Sequence, residues 1–232
     1  MRTQNTKING IPAVLWGEPA PKLLIAVHGL MSNKSDTVIE AAARIAEKKG
    51  YRTVSIDLPQ HGDRKDEPLR PVPWVCTEEL LGVYGALAPA YESTSIFGCS
   101  LGAYMELMAF GDTAIRKALL LSPVLDMRWS IEDTMERGGL TLDDLQRERY
   151  IEMPYGLALE WEYYLYACAH PATWDQPAAI LWGRRDEQVP EWVVDRFAAA
   201  NRVDVRKVDA EHYFHTEEDL VQLTDWLWDK LD

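Results

Sequence analysis

The chain has 232 residues, 47% of them hydrophobic and 26% charged, with a formal net charge of −13. That length and composition suit one globular domain with a large core. The acidic balance argues against a nucleic-acid or anionic-membrane surface, both of which select basic patches. No apolar run approaches the roughly 18 residues of a membrane helix. Met1 to Asn9 is polar and lacks the apolar centre of a targeting segment. Cys76, Cys99 and Cys168 are odd in number and widely spaced, which suits a reduced compartment without disulfides. These features predict a cytoplasmic protein with no membrane or nucleic-acid partner.

Along the chain, Thr6 to Trp16 holds Asn9-Gly10 between two extended stretches and predicts an opening hairpin with a type I′ turn. Leu23 to Val27 is a continuous apolar run, as in a strand covered on both faces, and it ends in His28-Gly29-Leu30-Met31-Ser32-Asn33. Asp36 to Lys49 reads as a helix with Gly50 just past its end. Tyr51 to Ile56 is the next strand and ends at Asp57. The proline-rich, charged stretch from Leu58 to Pro73 is a loop, and Val75 to Ala88 reads as a helix. A strand ending at Phe97 and a helix from Ala103 to Phe110 flank Gly98-Cys99-Ser100-Leu101-Gly102. Lys117 to Leu121 is another buried strand. The 55 residues from Pro123 to Pro177 exceed what a simple crossover needs, so about 124–176 is expected to form a small helical cap. Within it, Leu157, Trp161, Tyr164, Leu165 and Cys168 share one helical face, and most cap aromatics are expected to pack, with one or two lining a pocket. Ala178 to Trp182 is a strand, Glu191 to Ala200 a helix and Val203 to Val208 the last strand. A closing helix follows from Thr216 to Leu231, capped by Thr216 with Asp219 three residues on.

Strands alternating with helices predict a three-layer α/β/α sandwich on a mostly parallel, twisted sheet, folded as a single domain over residues 1–232. Such sheets bind ligands at the carboxyl ends of their strands. The chemistry-bearing loops, 28–33, 98–101, 183–190 and 209–216, all lie there.

Gly98 to Gly102 is a G-x-S-x-G pattern between a strand and a helix. A tight turn there would lift the Ser100 hydroxyl to its tip, and the glycines would let strand and helix backbones pass closely. Taken alone, the pattern also fits a βα turn with a capping serine. A nucleophilic serine needs a base, and the base needs an orienting acid. Gly183-Arg184-Arg185-Asp186 offers the acid after one strand, and Glu211-His212 the base after the next.

With His28-Gly29-Leu30 and Asp57-Leu58-Pro59-Gln60-His61-Gly62, these stretches resemble the α/β-hydrolase superfamily, in its small esterase- and lipase-like branch. The resemblance covers essentially the whole chain. It implies an α/β-hydrolase fold in which Ser100 is the nucleophile, His212 the base and Asp186 the acid. It further implies an oxyanion hole from the backbone N–H groups of Leu30 and Leu101. Asp126, after an earlier strand, is the alternative acid and His215 the rival base; Glu211 stands where many relatives have glycine. His28 and His61 read as structural, and Cys99 as a small buried side chain. His212-x-x-His215 lacks a third ligand at metal spacing, so no metal or cofactor is expected. The implied activity is hydrolysis of a small-molecule carboxylic ester of small or medium acyl or alcohol groups. The alternatives are a peptidase, amidase or thioesterase on the same residues, or a hydrolase-fold protein that only binds a ligand.

Overall fold

Asn9 and Gly10 both adopt left-handed backbone angles, φ 51° and 87°, as a type I′ turn requires. They join β1 (Thr3–Ile8) to β2 (Ile11–Trp16) in an antiparallel hairpin. The structure, a computed structural model, describes residues 1–154 and 158–232. The chain continues through β3 (Lys22–Val27), α1 (Thr37–Lys48), β4 (Tyr51–Ile56), α2 (Pro73–Leu87), β5 (Ser93–Cys99), α3 (Leu101–Phe110) and β6 (Ala118–Leu121). Next come α4 (Met127–Arg137), α5 (Leu142–Glu148), a short ribbon of β7 (Tyr150–Ile151) and β8 (Leu159–Glu160), and α6 (Trp161–Ala169). β9 (Ala178–Gly183), α7 (Glu191–Asn201), β10 (Asp204–Val208) and α8 (Glu217–Lys230) complete it.

The large sheet runs β1-β2-β4-β3-β5-β6-β9-β10. It is parallel from β4 to β10, and β2 joins β4 antiparallel. β3, β6 and β9 are apolar without alternation because both faces of the sheet are covered. Leu23, Ile25, Ile96, Leu120 and Ile180 pack with α2, α3 and α7. Leu24, Ala26, Phe97, Leu119 and Leu181 pack with α1 and α8. This is the three-layer sandwich the sequence predicts. β3 and β5 are neighbours whose chains leave in opposite directions, β3 toward β4 and β5 toward β6. Such a reversal opens a crevice at the strand ends, and the 28–33 loop and Ser100 stand on either side of it.

The segment between β6 and β9 holds α4, α5, the β7–β8 ribbon and α6, and α6 has a different register from the one expected. α6 starts at Trp161, and its buried residues are Tyr163, Tyr164 and Ala167, while Leu165 is exposed and so is Cys168. The register is set by Tyr163, whose ring sits 6.5 Å from Tyr104 of α3 and 6.4 Å from Trp74 of α2. The expected contribution of Leu157 lies outside the described residues.

Candidate active site

Ser100 stands between β5 and α3 with φ 49° and ψ −115°. A non-glycine residue there carries about 1–3 kcal/mol of strain, which the surroundings must hold. Ser100 N–H donates to Leu121 O (3.0 Å), and Ser100 O accepts from Val124 N (3.2 Å) and Tyr104 N (3.3 Å). A Cβ on Gly98 would stand 2.5 Å from Ala103 Cα, and one on Gly102 would press into the His28 and Val27 carbonyls. Both glycines are therefore demanded by backbones crossing on either side of the serine. Leu101 opens α3, where an amide N–H has no intrahelical acceptor.

Another close crossing brings the acid to the base. A Cβ on Gly183 would lie 2.7 Å from the Ala210 carbonyl carbon, so the loops after β9 and β10 can touch only through glycine. Arg184 N and Arg185 N donate to Val208 O and Ala210 O at 2.8 and 3.0 Å, lashing the two loops together. Asp186 Oδ1 accepts from the amides of Gln188 and Val189, each at 2.9 Å. Its Oδ2 accepts from His212 Nδ1 at 2.8 Å, and that bond leaves His212 Nε2 to accept from Ser100 Oγ at 2.9 Å. The Asp186 side chain has no solvent exposure. Ser100, His212 and Asp186 thus form one hydrogen-bonded row.

The rival residues are engaged elsewhere. Asp126 caps α4 by accepting from Trp129 N (3.0 Å) and pairs with Arg196. His215 is exposed, with Nε2 3.5 Å from Asp36 Oδ1. His61 is buried, with Nδ1 2.8 Å from Pro59 O. Burial pushes the Cys99 thiol well up, so it stays neutral. Among the described residues, no group of three or more His, Cys, Asp or Glu side chains is placed to hold a metal ion. No described helix is long and apolar enough to cross a membrane.

The 28–33 loop lies against the serine: a Cβ on Gly29 would be 3.2 Å from Ser100 Cβ. His28 shapes this loop. Its Nε2 accepts from Leu58 N at 3.1 Å, so Nδ1 carries the proton and donates to Gly29 O at 2.7 Å. A trans peptide points its C=O and N–H in opposite directions. The Leu30 N–H is therefore turned away from His28. Complete burial pulls the His28 imidazole down to about 4, which keeps it neutral in this role.

The alpha/beta hydrolase family model matches residues 24–225 of this chain. The chain belongs to that family. No curated protein sequence matches it. Among solved structures it resembles Est1E from Butyrivibrio proteoclasticus with ferulic acid bound (TM-score 0.76, 19% identity, 97% of this chain and 96% of that one). It also resembles a putative hydrolase from Agrobacterium vitis S4 (TM-score 0.78, 17% identity, 100% and 99%). A third is the alpha/beta hydrolase domain-containing protein 10 from mouse (TM-score 0.74, 16% identity, all of both chains). At these identities the likeness is one of fold.

A cavity of about 330 Å³ opens at Ser100 toward the α1/α8 side of the sheet, walled by Leu30, Met31, Val38, Cys99, Leu121 and Tyr213. Among the described residues, none between 124 and 176 lines it. This segment packs on the α2/α3 side, where Tyr163, Tyr164 and Trp174 are buried in the core, while Trp129 faces a separate cavity of about 660 Å³ beside Trp192 and Arg196. Sequence reasoning missed two buried groups beside the site. Glu106 of α3 is fully buried with neither carboxyl oxygen hydrogen-bonded, and burial raises its pKa well above the ordinary carboxyl range, so it stays protonated. It sits behind Gly98; a lone glutamate on an otherwise apolar helix was the available signal. Lys34, at the end of the 28–33 loop, is buried against Asp57, and nothing local in the sequence marks it.

Proposed function

We propose that this protein is a serine hydrolase that cleaves carboxylic esters of small or medium acyl or alcohol groups. The observation that carries the reading is the row Asp186–His212–Ser100 ending on a strained turn at the mouth of a cavity. Ser100 Oγ attacks the acyl carbon as His212 Nε2 takes its proton. Asp186 holds the imidazole with Nδ1–H toward itself and stabilises the imidazolium as it forms. The carbonyl oxygen, now an oxyanion, is met by the Leu30 and Leu101 amides; one such donor is typically worth about 3–4 kcal/mol. His212 returns the proton to the departing alcohol oxygen, leaving Ser100 acylated. A water molecule then repeats the sequence, with His212 as its base, and releases the acid. The chemistry asks for no metal or cofactor beyond these side chains. The cavity walls favour a short apolar acyl group, since about 330 Å³ must also admit the reacting carbonyl.

A fluorophosphonate should label Ser100, and Ser100→Ala should abolish p-nitrophenyl acetate turnover. Wild-type turnover in that variant would refute the reading. A panel of p-nitrophenyl esters, acyl thioesters and aminoacyl amides ranks the leaving groups. Faster cleavage of thioester or amide would move the assignment to those classes.

A further inference from the structure

The loop that carries Leu30 is an arch with two feet. His28 forms the first foot through its bonds to Leu58 N and Gly29 O. Met31 arches over the cavity mouth with φ 61°, largely exposed. Lys34 forms the second foot, where every polar group of the residue is used. Its N–H donates to Asp57 Oδ1 (2.8 Å), and its Nζ donates to Asp57 Oδ2 (2.5 Å) and Asp63 Oδ2 (2.8 Å). Its carbonyl accepts from Ser55 Oγ (2.7 Å), which itself accepts from Trp16 Nε1 (2.8 Å). Asp57 is fully buried and also accepts from Asp63 N at 2.9 Å. Gly62, at φ 53°, wraps this turn so closely that a Cβ there would run into the Asp57 carboxylate. The ammonium bonds to Asp57 and Asp63 outweigh burial and hold Lys34 above its ordinary range, so it stays charged.

A buried ion pair of this kind adds little net stability over an apolar pair of the same shape. What it supplies is direction: several charge-assisted bonds converge on one residue at the end of a loop whose Met31 and Asn33 are exposed. We infer that Lys34, clamped by Asp57 and Asp63, is a positioning residue that holds the Leu30 amide in the oxyanion hole. The inference rests on the hydrolase reading of Ser100. It concerns binding of the developing oxyanion and not of the ground-state ester, so the clamp acts on kcat and leaves KM alone.

Two variants test this, each assayed per active site as counted by fluorophosphonate titration. Lys34→Met strands Asp57 without its ammonium and is expected to lower the melting temperature. Lys34→Met/Asp57→Asn removes both buried charges but sets one amide NH2 against the Lys34 or Asp63 N–H, and is expected to recover part of that loss. In both, kcat for p-nitrophenyl acetate should fall roughly ten- to a hundredfold, short of the roughly 10²–10³-fold for outright loss of a donor. KM should stay within about twofold. Inhibition by an aryl trifluoromethyl ketone, whose serine adduct places an oxyanion in the hole, should weaken by the same factor as kcat. A purely structural clamp predicts instead that the double variant regains kcat and ketone affinity together with its melting temperature, and that result overturns the inference. A wild-type protein that neither turns over ester nor reacts with fluorophosphonate overturns the hydrolase reading, and this inference with it.

Discussion

His28 gives the protein a stability that depends on pH, and the size of the effect can be worked from its surroundings. The imidazole is fully buried and pulled from 6.5 down to about 4, chiefly by burial. His61 pushes the same way, with ring centroids 5.1 Å apart, while the bond to Gly29 and the charges of Asp57 and Asp36 oppose it. Protonating Nε2 would set a donor against the Leu58 N–H, so the native state holds the neutral ring. Because the folded value lies below the unfolded one, the unfolded chain takes up the proton first as pH falls. The contribution of His28 is thus complete above about pH 6.5 and is lost between 6.5 and about 4. At about 1.4 kcal/mol per pH unit, that window corresponds to about 3 kcal/mol, a large part of the roughly 5–15 kcal/mol of a typical domain. In His28→Gln the amide Oε1 can take the Leu58 N–H without a titrating group. Urea unfolding followed by tryptophan emission between pH 7.5 and 4.5 should show the wild type losing about 2–3 kcal/mol more than the variant over that range. Parallel losses would refute the reasoning, because they would mean that His28 titrates no differently in the folded and unfolded chain.

Two further substitutions separate groups that share a residue type but not a surrounding. Asp186→Asn should lower kcat by about 10⁴ through the wrong imidazole tautomer, whereas Asp126→Asn should leave it within a few-fold, since Asp126 caps α4 and pairs with Arg196; p-nitrophenyl acetate kinetics decide, and the reverse order would reassign the acid. Glu106 has its folded value raised by burial, so its stability is complete below the ordinary carboxyl range and falls as pH rises. Glu106→Gln should therefore raise the melting temperature, by more at pH 8 than at pH 5, with each kcal/mol appearing as about 2–4 °C. A gain independent of pH would contradict a neutral buried carboxyl.

The features legible in the sequence were those whose physics is local. Asn9-Gly10 marks its hairpin because both residues tolerate positive φ. The apolar runs of β3, β6 and β9 mark strands because α1 and α8 cover one face of the sheet and α2, α3 and α7 the other. Gly98 and Gly102 mark the turn at Ser100 because any side chain there would strike backbone. Asp186 and His212 lie in loops whose strand context could be read, although their meeting depends on Gly183 passing under Ala210. What escaped was settled across the fold. The face that α6 buries follows from Tyr163 meeting Tyr104 and Trp74, residues in two other helices, so its own periodicity misleads. Lys34 leaves no local mark, because its partner Asp57 reaches it from 23 positions away at the end of β4. A reacting side chain must sit in a local turn that exposes it, and that turn leaves a pattern of glycines. A side chain that holds such a turn from behind needs only a partner across the sheet, and distance in sequence conceals it.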